Sequence, residues 1–258
     1  MVLLLYAWAA AAGLQLSSWL VSLRTRNAGI VDVGWAASFT VCVAIFCAVS
    51  DAPRAQIVPL TIMVCAWSLR LTFYLVVRGA AGADEEGRYA TLRRRWAPHA
   101  NRAFFVFFQA QALLTAILCV AIVLPFRAPA RGEGFRLASM ILFAIALVGE
   151  ATADAQLRAF KRDPSNQGKV CDVGLWSWSR HPNYFFETCI WIAYAIYSLP
   201  SEYGALAFLG PAIILASILR VTGIPATEAQ AIRSKGDLYR AYQARTSAFV
   251  PWPPRKVS

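Results

Sequence analysis

Several residues able to do chemistry sit where an apolar chain has little reason to carry them. Asp32, Arg70, Tyr74, Arg78, Glu150, Asp154, Arg158, Lys161, Asn183, Glu187 and Arg220 lie within or at the ends of long hydrophobic blocks. A charged group at the centre of a membrane-spanning helix costs about 3 kcal/mol, so it marks either a function or a buried pair. The spacing is helical. Arg70, Tyr74 and Arg78 fall at i, i+4 and i+8; Glu150, Asp154, Arg158 and Lys161 at i, i+4, i+8 and i+11; Asn183 and Glu187 at i and i+4. Each set therefore shares one helix face. Taken singly, each residue reads better as a snorkelling side chain or a member of an interhelical ion pair than as a functional group. As a set they predict an intramembrane site at one end of a helical bundle. The surplus of arginine suits a ligand with an anionic part, and walls at lipid depth suit an apolar part.

The elements that must position these groups follow from composition. Of 258 residues, 58% are hydrophobic and 15% charged, with a mean hydropathy of +0.49. Soluble domains carry about 25% charged residues, so the chain reads as all-α and polytopic. Seven spans are expected: 2–23, 30–49, 57–77, 103–126, 135–152, 184–199 and 204–219. The first lacks the charged leader of a signal peptide. With the amino terminus outside, 20 of the 25 basic residues fall on the inside, so the positive-inside rule places the carboxyl terminus in the cytoplasm. One domain, 1–258, is expected, with its polar side formed by loops 78–102 and 153–182 and the tail 220–258. The net charge of +11 is accounted for by these loops and implies no nucleic-acid partner. Arg93 to Arg95 are expected at anionic headgroups. Six cysteines without metal spacing read as reduced packing residues, and two histidines, His99 and His181, make a multi-histidine metal site unexpected.

The most specific stretch is Gly174-Leu175-Trp176-Ser177-Trp178-Ser179-Arg180-His181-Pro182-Asn183-Tyr184-Phe185-Phe186-Glu187. Pro182 is placed to open a helix, and the free N–H groups of a helix start suit an anion such as phosphate or carboxylate. Downstream come Thr222-Gly223-Ile224-Pro225-Ala226-Thr227-Glu228, then Tyr239 and Tyr242.

At these residues the chain resembles two groups of integral membrane enzymes: the isoprenylcysteine and phospholipid methyltransferases, which use S-adenosylmethionine, and the steroid 5α-reductases and their bacterial relatives, which use NADPH. Features outside the motif resemble the reductases. These are Asn27 to Trp35, Trp67 to Arg78, Glu85-Glu86-Gly87-Arg88-Tyr89, and the placing of Asp154, Arg158 and Lys161. The resemblance implies a cofactor set of Trp35, Arg70, Arg78, Asp154, Arg158, Lys161, Lys169, Trp178, Arg180, His181, Asn183, Glu187, Arg220, Glu228, Tyr239 and Tyr242. It departs from the animal enzymes at the ketone grip, where a Gln-Glu pair and a tyrosine are matched here by Val31-Asp32 and Trp67, with Tyr74 beyond Arg70.

The activity so implied is NADPH-dependent reduction of a lipophilic enone, such as a 3-oxo-Δ4 steroid, by hydride transfer to the β carbon. Asp32 is the candidate proton donor, assisted by Tyr74 or Trp67, and a pair with an arginine is its alternative. No Gly-x-Gly-x-x-Gly is present, so no Rossmann domain is implied. The rival is a membrane methyltransferase, which has no need of three basic residues leaving one span because S-adenosylmethionine carries no phosphate. A transporter is disfavoured by the bare outer half. A monomer in a bacterial inner membrane, taking its substrate from the bilayer, is expected.

Overall fold

The computed structural model describes residues 2–79, 85, 87–221 and 223–255. Glu86, Thr222 and Lys256 lie outside the described residues, as does the side chain of Arg78, the last residue of its helix.

Twelve α-helices are described: α1 Val2–Thr25, α2 Ile30–Val49, α3 Arg54–Arg78, α4 Gly87–Arg95, α5 Ala100–Leu118, α6 Val120–Val123, α7 Glu133–Arg162, α8 Leu175–Trp178, α9 Pro182–Ser198, α10 Leu209–Ala216, α11 Ile224–Lys235 and α12 Asp237–Arg245. Among the described residues there is no strand, only one isolated bridge between Ser179 and Ser247. Helix ends follow local chemistry. Pro53 precedes α3, and Gly79, at φ 96°, closes it by donating its N–H to Leu75 and Val76 carbonyls. Pro182 opens α9.

Among the described residues six stretches, not seven, are long and apolar enough to cross a membrane: Val2–Thr25, Ile30–Val49, Arg54–Val77, Ala100–Phe126, Glu133–Arg162 and Gly204–Lys235. The expected span at 184–199 is the exception. It is α9, whose 17 residues reach about 26 Å at 1.5 Å per residue, short of a hydrocarbon core of about 30 Å. The last stretch instead runs longer than expected, because a π-helical turn, Ser217–Val221, follows α10 in place of a helix end. Ile62, Phe73, Val106 and Val148 are each more than 60% exposed, as side chains that face lipid would be.

The chain packs as two compact units, Met1–Gly132 with Tyr197–Ala207, and Glu133–Ile196 with Phe208–Ser258. In the first, α1, α2 and α3 approach through small and polar residues, the usual device where lipid supplies no hydrophobic drive between helices. Gln15, fully buried, donates to the Val31 carbonyl at 3.2 Å. Ser68 donates to the Ala36 carbonyl at 2.6 Å and receives Thr40 Oγ1 at 2.8 Å. In the first turn of α3, Gln56 bonds the Pro125 and Ala128 carbonyls and the Ala130 N–H, and its own backbone carbonyl accepts from the Tyr197 hydroxyl. In the second unit, α7 and α9 meet through Ser139 Oγ on the Ala193 carbonyl (2.7 Å), Phe143 against Tyr194, and Gly149 beneath the Phe186 ring.

Gly34 marks the closest approach of α1 and α2, since a Cβ there would lie 2.5 Å from Ser18 Oγ and 3.2 Å from Gln15 Oε1. Gly34→Leu is expected to destabilise the detergent-solubilised protein by about 1–3 kcal/mol through overpacking. Gly13→Leu, on the open side of α1, should stay within about 0.5 kcal/mol. Thermal unfolding of the two variants beside the parent chain checks this.

Candidate functional site

In the second unit the aromatic motif is built as a turn and then a clasp. Gly174, at φ 57°, has no room for a Cβ against Gln156, whose Oε1 accepts the Leu175 N–H at 3.0 Å and so starts α8. The Trp176 indole donates to the Ala153 carbonyl of α7 at 2.9 Å. Ser179 is extended and bridges Ser247. Its hydroxyl donates to the Phe249 carbonyl, the Arg180 N–H to the Ser247 carbonyl, and the Trp252 N–H to the Trp178 carbonyl. The tail is thus stitched to the motif by backbone.

Arg180 then points into this clasp with its side chain only 10% exposed. Its Nε donates to Glu228 Oε1 at 2.7 Å, and its Nη1 to the Gln243 and Thr246 carbonyls at 3.2 and 2.5 Å. Glu228 also receives Gln243 Nε2 at 2.7 Å and lies 3.3 Å from His181 Nε2. His181 is buried and stacks flat on Tyr184. Burial pushes its imidazole below the ordinary value of 6.5 despite the pull of Glu228. Tyr239 lies by the same pair, its phenol pushed up to about 12 by burial and then by the Glu228 charge. The Tyr242 hydroxyl donates to the Trp176 and Ser179 carbonyls, and burial raises it too. Of the sequence-derived set, Arg180, His181, Glu228, Tyr239 and Tyr242 are therefore brought together, bonded through Glu228 and to nearby backbone carbonyls. Gln243 and Thr246 complete the network and were not anticipated. No motif signals Thr246, which contributes through its backbone carbonyl.

Further along α7 and α9, Asn183 Nδ2 reaches Asp154 Oδ1 at 3.5 Å, and Asp154 is buried. Glu187 accepts from the Trp191 indole one turn on, at 2.9 Å. Arg158 is half-buried and Lys161 exposed at the end of α7. Beyond them Lys235 donates to the Lys169 carbonyl, and both Lys161 and Lys235 are close enough to the Cys171 thiol to act on it electrostatically. Basic groups from α7 and α11 thus both act on the Cys171 segment. Trp178 and Arg220 are exposed.

The first unit carries its own polar cluster. Asp32 in the first turn of α2 pairs with Arg88 and accepts the Tyr89 hydroxyl at 2.8 Å, while Arg88 Nη2 donates to that hydroxyl at 2.8 Å. Asp32 accepts from both Arg88 and Tyr89, so the arginine-paired alternative is the arrangement found. Glu85 takes two bonds from Arg93 (2.9 and 2.8 Å) and the Ala28 N–H at 2.8 Å. Burial pushes its carboxyl up, but these bonds outweigh it and leave it below the ordinary value. Trp67 is fully buried with Phe39 and Trp35 edge-on against it, a packing position. Arg70 and Tyr74 are half-buried on α3. The Trp35 indole N–H is buried and has no acceptor among the described residues.

Compared with known families, residues 18–246 match a family described as a protein of unknown function, DUF1295, which includes steroid 5α-reductase-like membrane proteins. Among curated proteins the chain is similar to the probable O-methyltransferase ustE of Ustilaginoidea virens, 45% identical over 51 residues. That match covers 20% of this chain and spans 18% of the relative's length. No solved structure matches.

Two outcomes follow from the clasp. Glu228→Ala strands a buried guanidinium and should cost about 3 kcal/mol, whereas the paired change Arg180→Met with Glu228→Leu should recover most of it; thermal midpoints of the three proteins decide. His181, with its folded value below its unfolded one, binds fewer protons folded than unfolded. Its contribution is present above about pH 6.5 and is lost as pH falls through the folded value. Stability measured from pH 8 to pH 5 should fall on the acid side, and less steeply in His181→Gln.

Proposed function

The chain belongs to the DUF1295 family, and from that premise we propose that it is an NADPH-dependent reductase of the carbon–carbon double bond of a lipophilic enone, of the 3-oxo-Δ4 steroid kind. The observation that carries this reading is that Lys161 of α7 and Lys235 of α11 both act on the Cys171 thiol, with Arg158 one turn before Lys161 and the Lys169 carbonyl bonded by Lys235. Cations on these elements suit the diphosphate and 2′-phosphate of NADPH. Asp154 and Asn183, a bonded acid and amide, offer both an acceptor and donors to a nucleotide's polar edges. Bound there, NADPH supplies the hydride.

The residues' own work is at the other reactant. A hydride added to the β carbon leaves negative charge on the carbonyl oxygen, and a proton taken from water and added at the α carbon completes the saturated ketone. Donors preorganised at that oxygen lower the barrier. The first unit by itself holds a donor of that kind, the Trp35 indole, buried without an acceptor. Its Tyr89 hydroxyl donates to Asp32 and can turn to a carbonyl only by giving up that bond. Trp67 shields the Trp35 face from water by filling the core behind it. In this reading the amino terminus is outside, the carboxyl terminus is cytoplasmic, and a monomer in a bacterial inner membrane draws its substrate from lipid.

A second reading, an S-adenosylmethionine-dependent membrane methyltransferase, is favoured by the partial likeness to the probable O-methyltransferase. The two differ in ligand. Detergent-purified protein should quench on NADPH addition and saturate, respond more weakly to NADH and not at all to S-adenosylmethionine. Asp154→Ala and Glu187→Ala should each weaken NADPH binding by about tenfold or more. Saturable binding of S-adenosylmethionine alone would replace the reductase with the methyltransferase.

A further inference from the structure

The first unit holds a cavity of about 540 Å³ lined by residues 2–4, 49–52, 120, 123, 124, 126–129, 203 and 206. It is remote from the polar cluster just described. Asp32 stands in the first turn of α2, whereas Val49 and Ser50 close that helix, about 27 Å away along a helix axis rising 1.5 Å per residue. The volume lies within the range of about 300–1,000 Å³ usual for small-molecule sites.

Its floor is apolar, with Val123, Leu124 and Phe126 all buried. Ser50 does not equip it for polar recognition, because the hydroxyl is spent on the Phe126 carbonyl at 2.7 Å and the Ala52 N–H at 3.1 Å. Two charges remain in the lining, Asp51 and Arg127, both exposed. Among the described residues neither forms an ion pair. One anion and one cation thus stand over an apolar hollow at the end of membrane-spanning helices.

That combination is complementary to an amphiphile carrying a cation and an anion on one head. We propose that this cavity binds a zwitterionic phospholipid of the phosphatidylethanolamine class, its phosphate on Arg127, its ammonium on Asp51 and part of an acyl chain over Val123, Leu124 and Phe126. The ammonium has three N–H donors for a carboxylate, which a quaternary head lacks, and an arginine fork suits phosphate. An anionic phospholipid meets Arg127 equally well but gives Asp51 no cation. The assignment is independent of the reductase reading.

The experiment uses the full chain in detergent, delipidated and titrated with phosphatidylethanolamine, phosphatidylcholine or phosphatidylglycerol of matched acyl chains, with bound lipid counted by native mass spectrometry. A photoactivatable phosphatidylethanolamine maps the position. Exposed charge pairs are worth at most about 1 kcal/mol, so the expected preference for phosphatidylethanolamine over phosphatidylglycerol is about fivefold. It should vanish in Asp51→Asn, and overall phospholipid binding should drop in Arg127→Gln. Cross-links should fall within residues 49–52 or 120–129. Both substituted side chains are exposed, so unfolding midpoints without lipid should match the parent chain. Equal binding of the two lipids, an unaltered preference in Asp51→Asn, or cross-links elsewhere would overturn the proposal.

Discussion

The ion pair between Arg180 and Glu228 is the constraint around which the second unit is arranged. A guanidinium and a carboxylate 10% and 16% exposed have each given up most of their water, and either one alone would cost several kcal/mol. Arginine also brings five N–H donors that need acceptors. The chain meets that demand with Glu228 from α11 and with the carbonyls of Gln243 and Thr246 at the end of α12. Two successive helices, with contacts 48 to 66 residues beyond Arg180, are obliged to converge on its side chain. The start of α9, the path of the tail and the burial of Tyr239 and Tyr242 all follow from it.

His181 shows how tightly the arrangement is drawn. Its ring lies against Tyr184 on one side and Glu228 on another. A carboxylate neighbour would ordinarily raise an imidazole, yet the net shift is downward because burial outweighs it and Arg180 repels a second cation. Glu228 is thus committed to the guanidinium, and the histidine is held neutral as a packing and hydrogen-bonding group. The helix start at Pro182 is fixed in place by backbone bonds to the tail before any ligand is considered.

What the sequence made legible was local or periodic. Pro182 as a helix opener, the shared face of Asp154 and Arg158, and the apolar blocks all depend on residues within a few turns of one another. The count of spans failed where length alone was decisive: residues 184–199 are as apolar as their neighbours, and only the 17-residue limit of α9 separates a partial crossing from a complete one. The partners of Asp32 were illegible for a different reason. Arg88 and Tyr89 stand 56 and 57 positions away, past a loop, and no periodicity links them. Thr246 contributes through its carbonyl, for which side-chain identity carries no signal at all.

The two polar clusters share one chemical plan, an acid held by an arginine with a tyrosine alongside, but differ in exposure, and that difference assigns their roles. In the second unit the arginine is buried, its bonds are filled by backbone, and separating the pair would leave a stranded charge. Such a pair holds structure and offers nothing to exchange. In the first unit Arg88 is 52% exposed while Asp32 is 21%, and an ion pair of that kind is worth at most about 1 kcal/mol. A ligand carbonyl that competes for the Arg88 or Tyr89 donors therefore meets a small opposing energy. The Trp35 indole, on the same helix as Asp32, requires an acceptor to offset its desolvation. The cluster that is weaker as structure is for that reason the better candidate for chemistry, and the motif around Arg180 is better understood as the frame that keeps its own unit folded.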